Sequence, residues 1–170
     1  MITPVLYTIQ AVQPAAHLFE VSLTLAQPDP AGQVFSLPAW IPGSYMIREF
    51  ARNIVSLSAE AGGKAVPAIK VDKHSWRLPA GIQGPVTLRY TVYAWDLSVR
   101  SAHLDQTHGF FNGTSVFLAA HGHEDAPHRV NIRPPNVLED ARWRVATSLP
   151  EAAGEKGAAE RYGFGLYRAD

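Results

Sequence analysis

The sequence contains no cysteine among its 170 residues, which excludes a disulfide framework, a thiolate metal site and a thiol nucleophile. It also lacks an excess of either charge, because 15 Lys and Arg residues balance 15 Asp and Glu residues. A neutral chain has no basic field that would attract nucleic acid or an anionic membrane surface. We therefore expect neither a nucleic-acid partner nor a membrane partner.

Long apolar runs are absent as well. No stretch approaches the roughly 18 apolar residues that a membrane-spanning helix needs, and residues 1–7 lack the basic region and apolar core of a signal peptide. These absences predict a cytoplasmic location. The composition, with 46% hydrophobic and 18% charged residues, is that of a folded chain. Its length suits one domain with its own core, so we expect a single domain over residues 1–170.

Most segments alternate apolar and polar residues with a period of two, which is typical of half-buried β-strands. The pattern is clearest in residues 18–25 and 86–95, and residues 5–12 are the expected hairpin partner of residues 18–25. Shorter strands are predicted at residues 33–37, 55–60, 66–71, 75–78, 110–118, 129–132, 143–147 and 161–167. Strands at short intervals, separated by Pro and Gly, predict an all-β fold with little helix. We expect an antiparallel β-sandwich or a saddle-like sheet.

The most distinctive stretch is residues 37–54. Within it Pro42-Gly43 predicts a type II turn, because proline fixes φ and glycine accepts a positive φ. Trp40 precedes the turn, and Tyr45 and Arg48 follow it. Two interpretations stay open at this point: an aromatic corner packed against a sheet, or a loop presented to a ligand or to a neighbouring domain.

Histidines are the first candidates for chemistry, since five of the seven lie within residues 103–128. The segment His123-Glu-Asp-Ala-Pro-His128 approaches the helical His-Glu-x-x-His zinc motif. Its second histidine comes one residue too late, however, and Pro127 would break such a helix, so a solvated loop is favoured. A metal site assembled across strands stays open, although no spacing favours it; its ligands would be His103, His108 and His121.

Other catalytic motifs are missing. Ser44 lies in a turn without the Gly-x-Ser-x-Gly elbow, and Gly163-Phe-Gly165 is not a phosphate loop. Asn112-Gly113-Thr114 formally matches a glycosylation acceptor, but Asn-Gly favours a tight hairpin turn, which is the preferred interpretation. The residue patterns therefore predict a β domain with no catalytic, cofactor-binding or metal-binding residues of its own.

The run Trp40-Ile-Pro-Gly-Ser-Tyr-Met-Ile-Arg-Glu-Phe-Ala-Arg-Asn-Ile54 resembles the signature near the N-terminus of the glycyl aminopeptidase family. Members of this family are zinc metallopeptidases that also carry a PDZ domain. Three further segments fit the family pattern in the same order, namely His17–Val21, Tyr90–Ala94 and Phe111–Phe117. The ending Tyr167–Asp170 resembles the point at which such proteins continue into their catalytic domain. The resemblance thus covers essentially the whole chain.

This resemblance implies that the chain is the N-terminal fragment of a zinc aminopeptidase that removes Gly or Ala from the N-termini of peptides. Family members place a thermolysin-like domain with the His-Glu-x-x-His zinc ligands after the β-rich domain, and this sequence contains no such motif. The fragment alone is therefore expected to be inactive and to hold no cofactor, with zinc in the catalytic domain. Its expected partners are that catalytic domain, the peptide substrate of the whole enzyme and a second copy of the fragment.

Two segments are expected to face the catalytic domain or its cleft and to provide shape and support. They are the turn at Trp40, Pro42, Gly43, Ser44, Tyr45 and Arg48 and the hairpin at Asn112, Gly113, Thr114 and Ser115. The alternative function is a stand-alone β-sandwich module that binds a peptide or another ligand. Its contacts would be exposed aromatic residues such as Trp40, Tyr45, Trp95 and Phe111.

Overall fold

The structure is a computed structural model that describes residues 3–136 and 143–169, so the predicted end of the fragment at Asp170 lies outside the described residues. The strands are β1 Val5–Gln13, β2 Leu18–Leu25, β3 Val34–Ser36, β4 Ile54–Ala61, β5 Lys64–Val66, β6 Ile69–Lys70, β7 Ser75–Arg77, β8 Val86–Tyr93, β9 Ala102–Leu104, β10 Gly109–Phe111, β11 Ala119–Ala120, β12 His128–Arg133 and β13 Gly165–Arg168. One short α-helix, α1, spans Gly113–Val116, and 3₁₀ turns span Pro14–Ala16 and Phe50–Asn53. The all-β prediction with little helix is therefore confirmed.

The strands form a large sheet, a smaller sheet and a two-stranded hairpin. The large sheet has seven strands in the order β13-β12-β1-β2-β8-β4-β5, and the smaller one has four in the order β11-β3-β7-β6. The hairpin is β9 paired with β10. Among the strands that the structure describes, every strand-to-strand pairing is antiparallel except that of β1 with β12, which runs parallel. An isolated bridge between Ala158 and Leu166 is also parallel.

The period-two pattern determines which face of the large sheet is buried. In β2 and β8 every second residue is buried, and Leu23 pairs with Leu88 on that face. Each such leucine contributes about 1.5–3 kcal/mol by leaving water. On the opposite face the hydroxyls of Thr24 and Thr87 lie 3.1 Å apart in a hydrogen bond. The predicted hairpin of residues 5–12 with residues 18–25 is also confirmed, as β1 and β2.

The smaller sheet covers the buried face of the large one, and both contribute to a single core cluster. Phe35 and Trp76 of the smaller sheet belong to the same cluster as Leu23 and Leu88. The hydroxyls of Tyr7 and Tyr90, both in the large sheet, also reach residues 116–118 across this core. Apolar packing thus joins the two sheets, and hydrogen bonds join the large sheet to the segment that leads from α1 into β11.

Several short predicted strands differ from the structure. The strand predicted at residues 66–71 is divided into β5 and β6, because Pro67 between them has no N–H to donate. Residues 143–147 are not a strand, and the last strand starts at Gly165 rather than at residue 161. The strand predicted at residues 110–118 is interrupted by α1, because Asn112 caps a short helix there.

The structure also bears on membrane insertion. Within residues 3–136 and 143–169, no helix is long and apolar enough to span a bilayer.

Candidate functional site

The predicted type II turn is present. The amide of Ser44 donates to the carbonyl of Ile41 at 3.2 Å, and Gly43 has a φ of +82°. This conformation requires a residue that tolerates positive φ, which is the reason for glycine at this position. No Cβ contact would block another residue there, so the backbone angle alone selects glycine.

Hydrogen bonds brace the loop that contains this turn, which we call the first loop (residues 39–49). The indole Nε1 of Trp40 donates to the carbonyl of Ser44 at 2.7 Å. The amide of Arg48 donates to the carbonyl of Ala39 at 2.7 Å and so closes the base of the loop. A loop held at its base and across its middle keeps a defined shape without help from a partner.

The buried hydroxyl of Ser44 organises the rest of the first loop. It donates to the carbonyl of Met46 at 2.8 Å and accepts from the guanidinium Nε of Arg48 at 3.0 Å. Ser44 is therefore a structural residue, because its side chain is used inside the loop. The apolar side chains that follow it point to solvent: Tyr45 is fully exposed, and Met46 and Ile47 are largely exposed.

A second loop, residues 95–101, lies beside the first. Its side chains Leu97 and Val99 are 71% and 73% exposed, although both are large and apolar. The guanidinium Nε of Arg100 donates to the carbonyl of Gly43 at 3.4 Å, which links the two loops directly. Soluble proteins rarely expose clustered apolar side chains without a partner for them.

The second predicted segment is a helix N-terminus instead of a hairpin turn. The Asn112 carboxamide oxygen accepts from the backbone amide of Thr114 at 3.1 Å and from its hydroxyl at 2.7 Å, so Asn112 is the N-cap of α1. Ser115 is buried, and its hydroxyl donates to the carbonyl of Asn112. Gly113 and Thr114 are exposed and are the members of this segment that a partner can contact.

The structure brings the two predicted segments together through the second loop. The amide of Asn112 donates to the carbonyl of Ser101 at 2.9 Å, and its side-chain nitrogen donates to the carbonyl of Val99 at 3.5 Å. The second loop therefore touches both α1 and the first loop. From the sequence only Trp95 of this loop is predicted to be exposed, as a contact of the alternative binding module. Leu97 and Val99 were missed because the region from residue 98 onward has no regular period, although two apolar residues among polar neighbours were a signal.

We call the exposed apolar side chains of the two loops the two-loop surface; its members are Trp40, Tyr45, Met46, Ile47, Trp95, Leu97 and Val99. A depression of about 180 Å³ opens beside this surface. Its lining includes Arg48 and Arg52 together with Tyr93, Trp95 and Asp96. The combination of apolar side chains and a charged rim is typical of a surface that meets another protein segment.

A separate cavity of about 190 Å³ lies on another part of the large sheet and is lined mainly by apolar residues. Its walls include Phe19, Phe110, Trp143 and Phe164. A ligand-binding module would hold an apolar ligand here. Phe111, predicted as an exposed contact, lines this cavity and is partly buried.

The structure brings together two of the three histidines considered as metal ligands. The rings of His103 and His108 lie with their centroids 5.0 Å apart, and Asp105 lies between them. His121 is elsewhere, with its Nε2 2.7 Å from the hydroxyl of Ser36. The segment His123–His128 is not helical, so it does not present its two histidines on one helix face.

Comparison with known proteins identifies relatives of the chain. The family model of the peptidase M61 N-terminal domain matches residues 6–170. Among solved structures the chain is similar to the crystal structure of an aminopeptidase N family protein from Idiomarina loihiensis, with 44% sequence identity and a TM-score of 0.87. The match covers 98% of this chain and 27% of that one, so the chain spans about a quarter of the length of that structure. No curated protein sequence matches the chain significantly.

Proposed function

The chain belongs to the peptidase M61 N-terminal domain family, and we propose that it is the non-catalytic N-terminal domain of a zinc-dependent aminopeptidase of the glycyl aminopeptidase type. Family membership confirms the resemblance drawn from residues 40–54. In the proposed enzyme the zinc lies in a catalytic domain outside this chain. The chain supplies scaffold and part of the wall of the substrate cleft.

The two-loop surface is the observation that carries this proposal. Seven large, exposed apolar side chains lie on these two loops, which the hydrogen bond from Arg100 to Gly43 links. Burying a side chain such as Ile47 against a partner would contribute about 1.5–3 kcal/mol, and the braced first loop would lose little conformational entropy on docking. The partner in the proposal is the catalytic domain, and the length of the solved relative, of which this chain spans 27%, supports an occupant of that size.

The charged depression beside the two-loop surface gives the docked domains a polar contact. Arg48 and Arg52 offer guanidinium groups there, and Asp96 offers a carboxylate. Because the depression adjoins Trp95, it lies at the margin of the surface that docking would bury. In the proposal this margin forms the wall of the cleft that a peptide substrate reaches.

The first test compares the chain alone with the polypeptide in which a catalytic domain follows it. Release of nitroaniline from glycyl and alanyl nitroanilides is measured for both. We expect activity from the longer polypeptide and none from the chain alone, since the chain has no His-Glu-x-x-His motif. Release of glycine or alanine by the pure chain would contradict its non-catalytic role.

The second test asks whether the two-loop surface is the docking surface. Ile47→Asp in the longer polypeptide should lower its thermal stability and its aminopeptidase activity, because the substitution places a charge in an apolar interface. Ile69→Asp is the matched control, since Ile69 is 60% exposed where Ile47 is 64% exposed but lies on β6 of the smaller sheet. Equal losses of thermal stability and aminopeptidase activity in the two variants would contradict docking through this surface.

A further inference from the structure

A histidine, an aspartate and a second histidine meet at the tip of the β9–β10 hairpin. One ligand atom from each of His103, Asp105 and His108 can be chosen so that all three lie within 4.8 Å of one another. His103 Nε2 is 3.1 Å from Asp105 Oδ2, and His108 Nδ1 is 3.3 Å from Asp105 Oδ1. The proposed function uses none of these three side chains.

The carboxylate of Asp105 is held in place by the turn that it begins. Its Oδ1 accepts from the amide of Thr107 at 2.7 Å, from the hydroxyl of Thr107 at 2.7 Å and from the amide of His108 at 2.9 Å. The Thr107 hydroxyl, the two backbone amides and the His103 ring hold the pKa of Asp105 well below its usual range, against the opposing effect of desolvation. Oδ1 is thus saturated with donors, and Oδ2 keeps a lone pair for a further ligand.

The ring of His103 is fixed by packing. It is buried, and it stacks on Trp95 with the ring centroids 4.9 Å apart. Trp95 also stacks on His17, with the ring centroids 3.8 Å apart. His17 in turn has its Nδ1 2.6 Å from the carbonyl of Leu104. A side chain held in this way needs little reorganisation to act as a ligand.

His108 supplies the movable ligand and the entry path. Its side chain is 52% exposed, so the cluster opens to solvent on that side. Zinc bonds of about 2.0–2.2 Å in a tetrahedron separate neighbouring ligand atoms by about 3.3 Å. The separation between His103 Nε2 and Asp105 Oδ2 already matches this value. The exposed ring of His108, whose Nδ1 lies 3.0 Å from the Thr107 hydroxyl, must turn to bring a nitrogen to the same ion.

We propose that His103, Asp105 and His108 form a binding site for one divalent transition-metal ion of the zinc type. Two imidazoles and one carboxylate suit zinc and its neighbours in the first transition row, whereas magnesium prefers oxygen ligands alone. The fourth coordination position faces solvent beside His108. This site departs from the sequence-based expectation that the chain holds no cofactor.

The buried nitrogen of His103 limits how tightly this site binds. Among the described residues, His103 Nδ1 is buried and has no hydrogen-bond partner. When a metal occupies Nε2, the ring proton must sit on Nδ1, where no acceptor meets it. Ligating histidines usually have such an acceptor, and its loss typically costs 10- to 100-fold in metal affinity. We therefore expect a reversible site and not a permanently occupied one.

The test titrates the untagged chain with zinc chloride in a calorimeter. We expect saturable binding of one ion per chain, with magnesium chloride giving none under the same conditions. Thermal unfolding should shift upward with zinc, because an ion that binds only the folded state stabilises it. No saturable binding of zinc, or equal binding of magnesium, would overturn the proposal.

Three variants locate the ion. His108→Ala removes an exposed ligand, and Asp105→Asn removes the carboxylate but keeps an acceptor for the turn, so both variants should fold and lose zinc binding. His74→Ala is the matched control, since His74 is a half-exposed histidine 3.9 Å from Asp72 that is not part of the cluster. Undiminished binding in the first two variants, or its loss in the third, would overturn the assignment. His103 stacks on Trp95 of the two-loop surface, so the metal site adjoins that surface. The zinc titration uses the chain alone and the docking test compares Ile47→Asp with Ile69→Asp in the longer polypeptide, so failure of either is recognised without the other.

Discussion

The hydroxyl group of Tyr90 joins the large sheet to the segment at residues 116–118. The phenol lies in β8 with its side chain fully buried, donates to the carbonyl of Val116 at 2.8 Å and accepts from the amide of Leu118 at 3.1 Å. Tyr7 of β1 acts in parallel by donating to the carbonyl of Leu118 at 2.8 Å. Burial raises the pKa of both phenols well above the usual tyrosine range, so both stay neutral.

Tyr90→Phe should lower the free energy of unfolding by about 1–3 kcal/mol, because the substitution leaves a buried carbonyl and a buried amide unsatisfied. Urea denaturation monitored by circular dichroism measures the change. Tyr93→Phe is the matched control, since the side chain of Tyr93 at the end of the same strand is 42% exposed. Equal stability of the two variants would show that the hydrogen bonds of the Tyr90 hydroxyl to residues 116–118 do not stabilise the domain.

A surface carboxylate provides a pH-dependent prediction. Glu155 accepts from Nε of Arg129 at 2.9 and 3.0 Å and lies 3.6 Å from Nε of Arg168. The hydrogen bond from Arg129 and the charges of both arginines lower the pKa of Glu155 below its usual range. A carboxyl whose pKa is lower in the folded state stabilises the fold above its unfolded pKa, about 4.3. That stabilisation is lost as the pH falls through the folded-state pKa.

Glu155→Gln should therefore lower the melting temperature at neutral pH, and the gap to the unmodified chain should narrow as the pH falls below the ordinary glutamate range. Melting curves over a pH series test this. Glu60→Gln, an exposed change on β4, is the control. A gap that stays constant from neutral to acidic pH would contradict the role of the Glu155 charge.

The burial of single residues in the long strands can be predicted from the sequence. The buried positions of β2 and β8 follow from the period of two, because alternate side chains of a strand point to opposite faces. The hairpin turn predicted at Asn112 is wrong, because two local preferences compete at this residue. Asn-Gly favours a hairpin turn, and asparagine also caps helices. The capping hydrogen bond to Thr114 decides between them.

At the scale of elements, β13 depends on one glycine. Gly165 begins this strand with a φ of +138°, and a Cβ built there would lie 2.8 Å from Ala159 Cα and from the carbonyl oxygen of Gly157. The strand also meets this segment through a hydrogen bond from the amide of Leu166 to the carbonyl of Gly157 at 2.8 Å. The backbones approach too closely for any side chain at Gly165.

Gly165→Ala should therefore destabilise the domain by about 1–3 kcal/mol beyond the cost of a positive φ alone. Gly154→Ala isolates that cost, because Gly154 has a φ of +86° and nothing within 4 Å of a built Cβ. Chemical denaturation of both variants gives the difference. If the two alanine variants unfold at the same denaturant concentration, the close approach is unimportant.

The order of the elements could not be predicted. Residues 5–12 and 18–25 were paired correctly because a hairpin connects them, but β12 lies far from β1 in sequence and leaves no local sign of its pairing. The candidate sites also depend on contacts that the sequence does not reveal. The first loop was found from its own residues, whereas the cluster of His103, Asp105 and His108 exists only because the β9–β10 hairpin folds back.

At the scale of the whole molecule, the two-loop surface should make the isolated chain associate with itself. Side chains such as Tyr45, Leu97 and Val99 meet water in the chain alone, and pairing two copies removes them from it. Sedimentation over a wide range of concentrations should show reversible dimers. Ile47→Asp should weaken them, and Ile69→Asp should not. A chain that stays monomeric at the highest concentration would contradict this expectation.

The parallel pairing of β1 with β12 has a consequence for synthesis of the protein. Val5 pairs with His128, so the partners are 123 positions (128 − 5) apart in the sequence. At a ribosomal rate of about 5–20 residues per second, one edge of the N-terminal strand waits about 6–25 s for its neighbour. During that interval the nascent chain carries an open strand edge of the kind that recruits chaperones or pairs wrongly. The domain thus completes its largest sheet only near the end of its own translation.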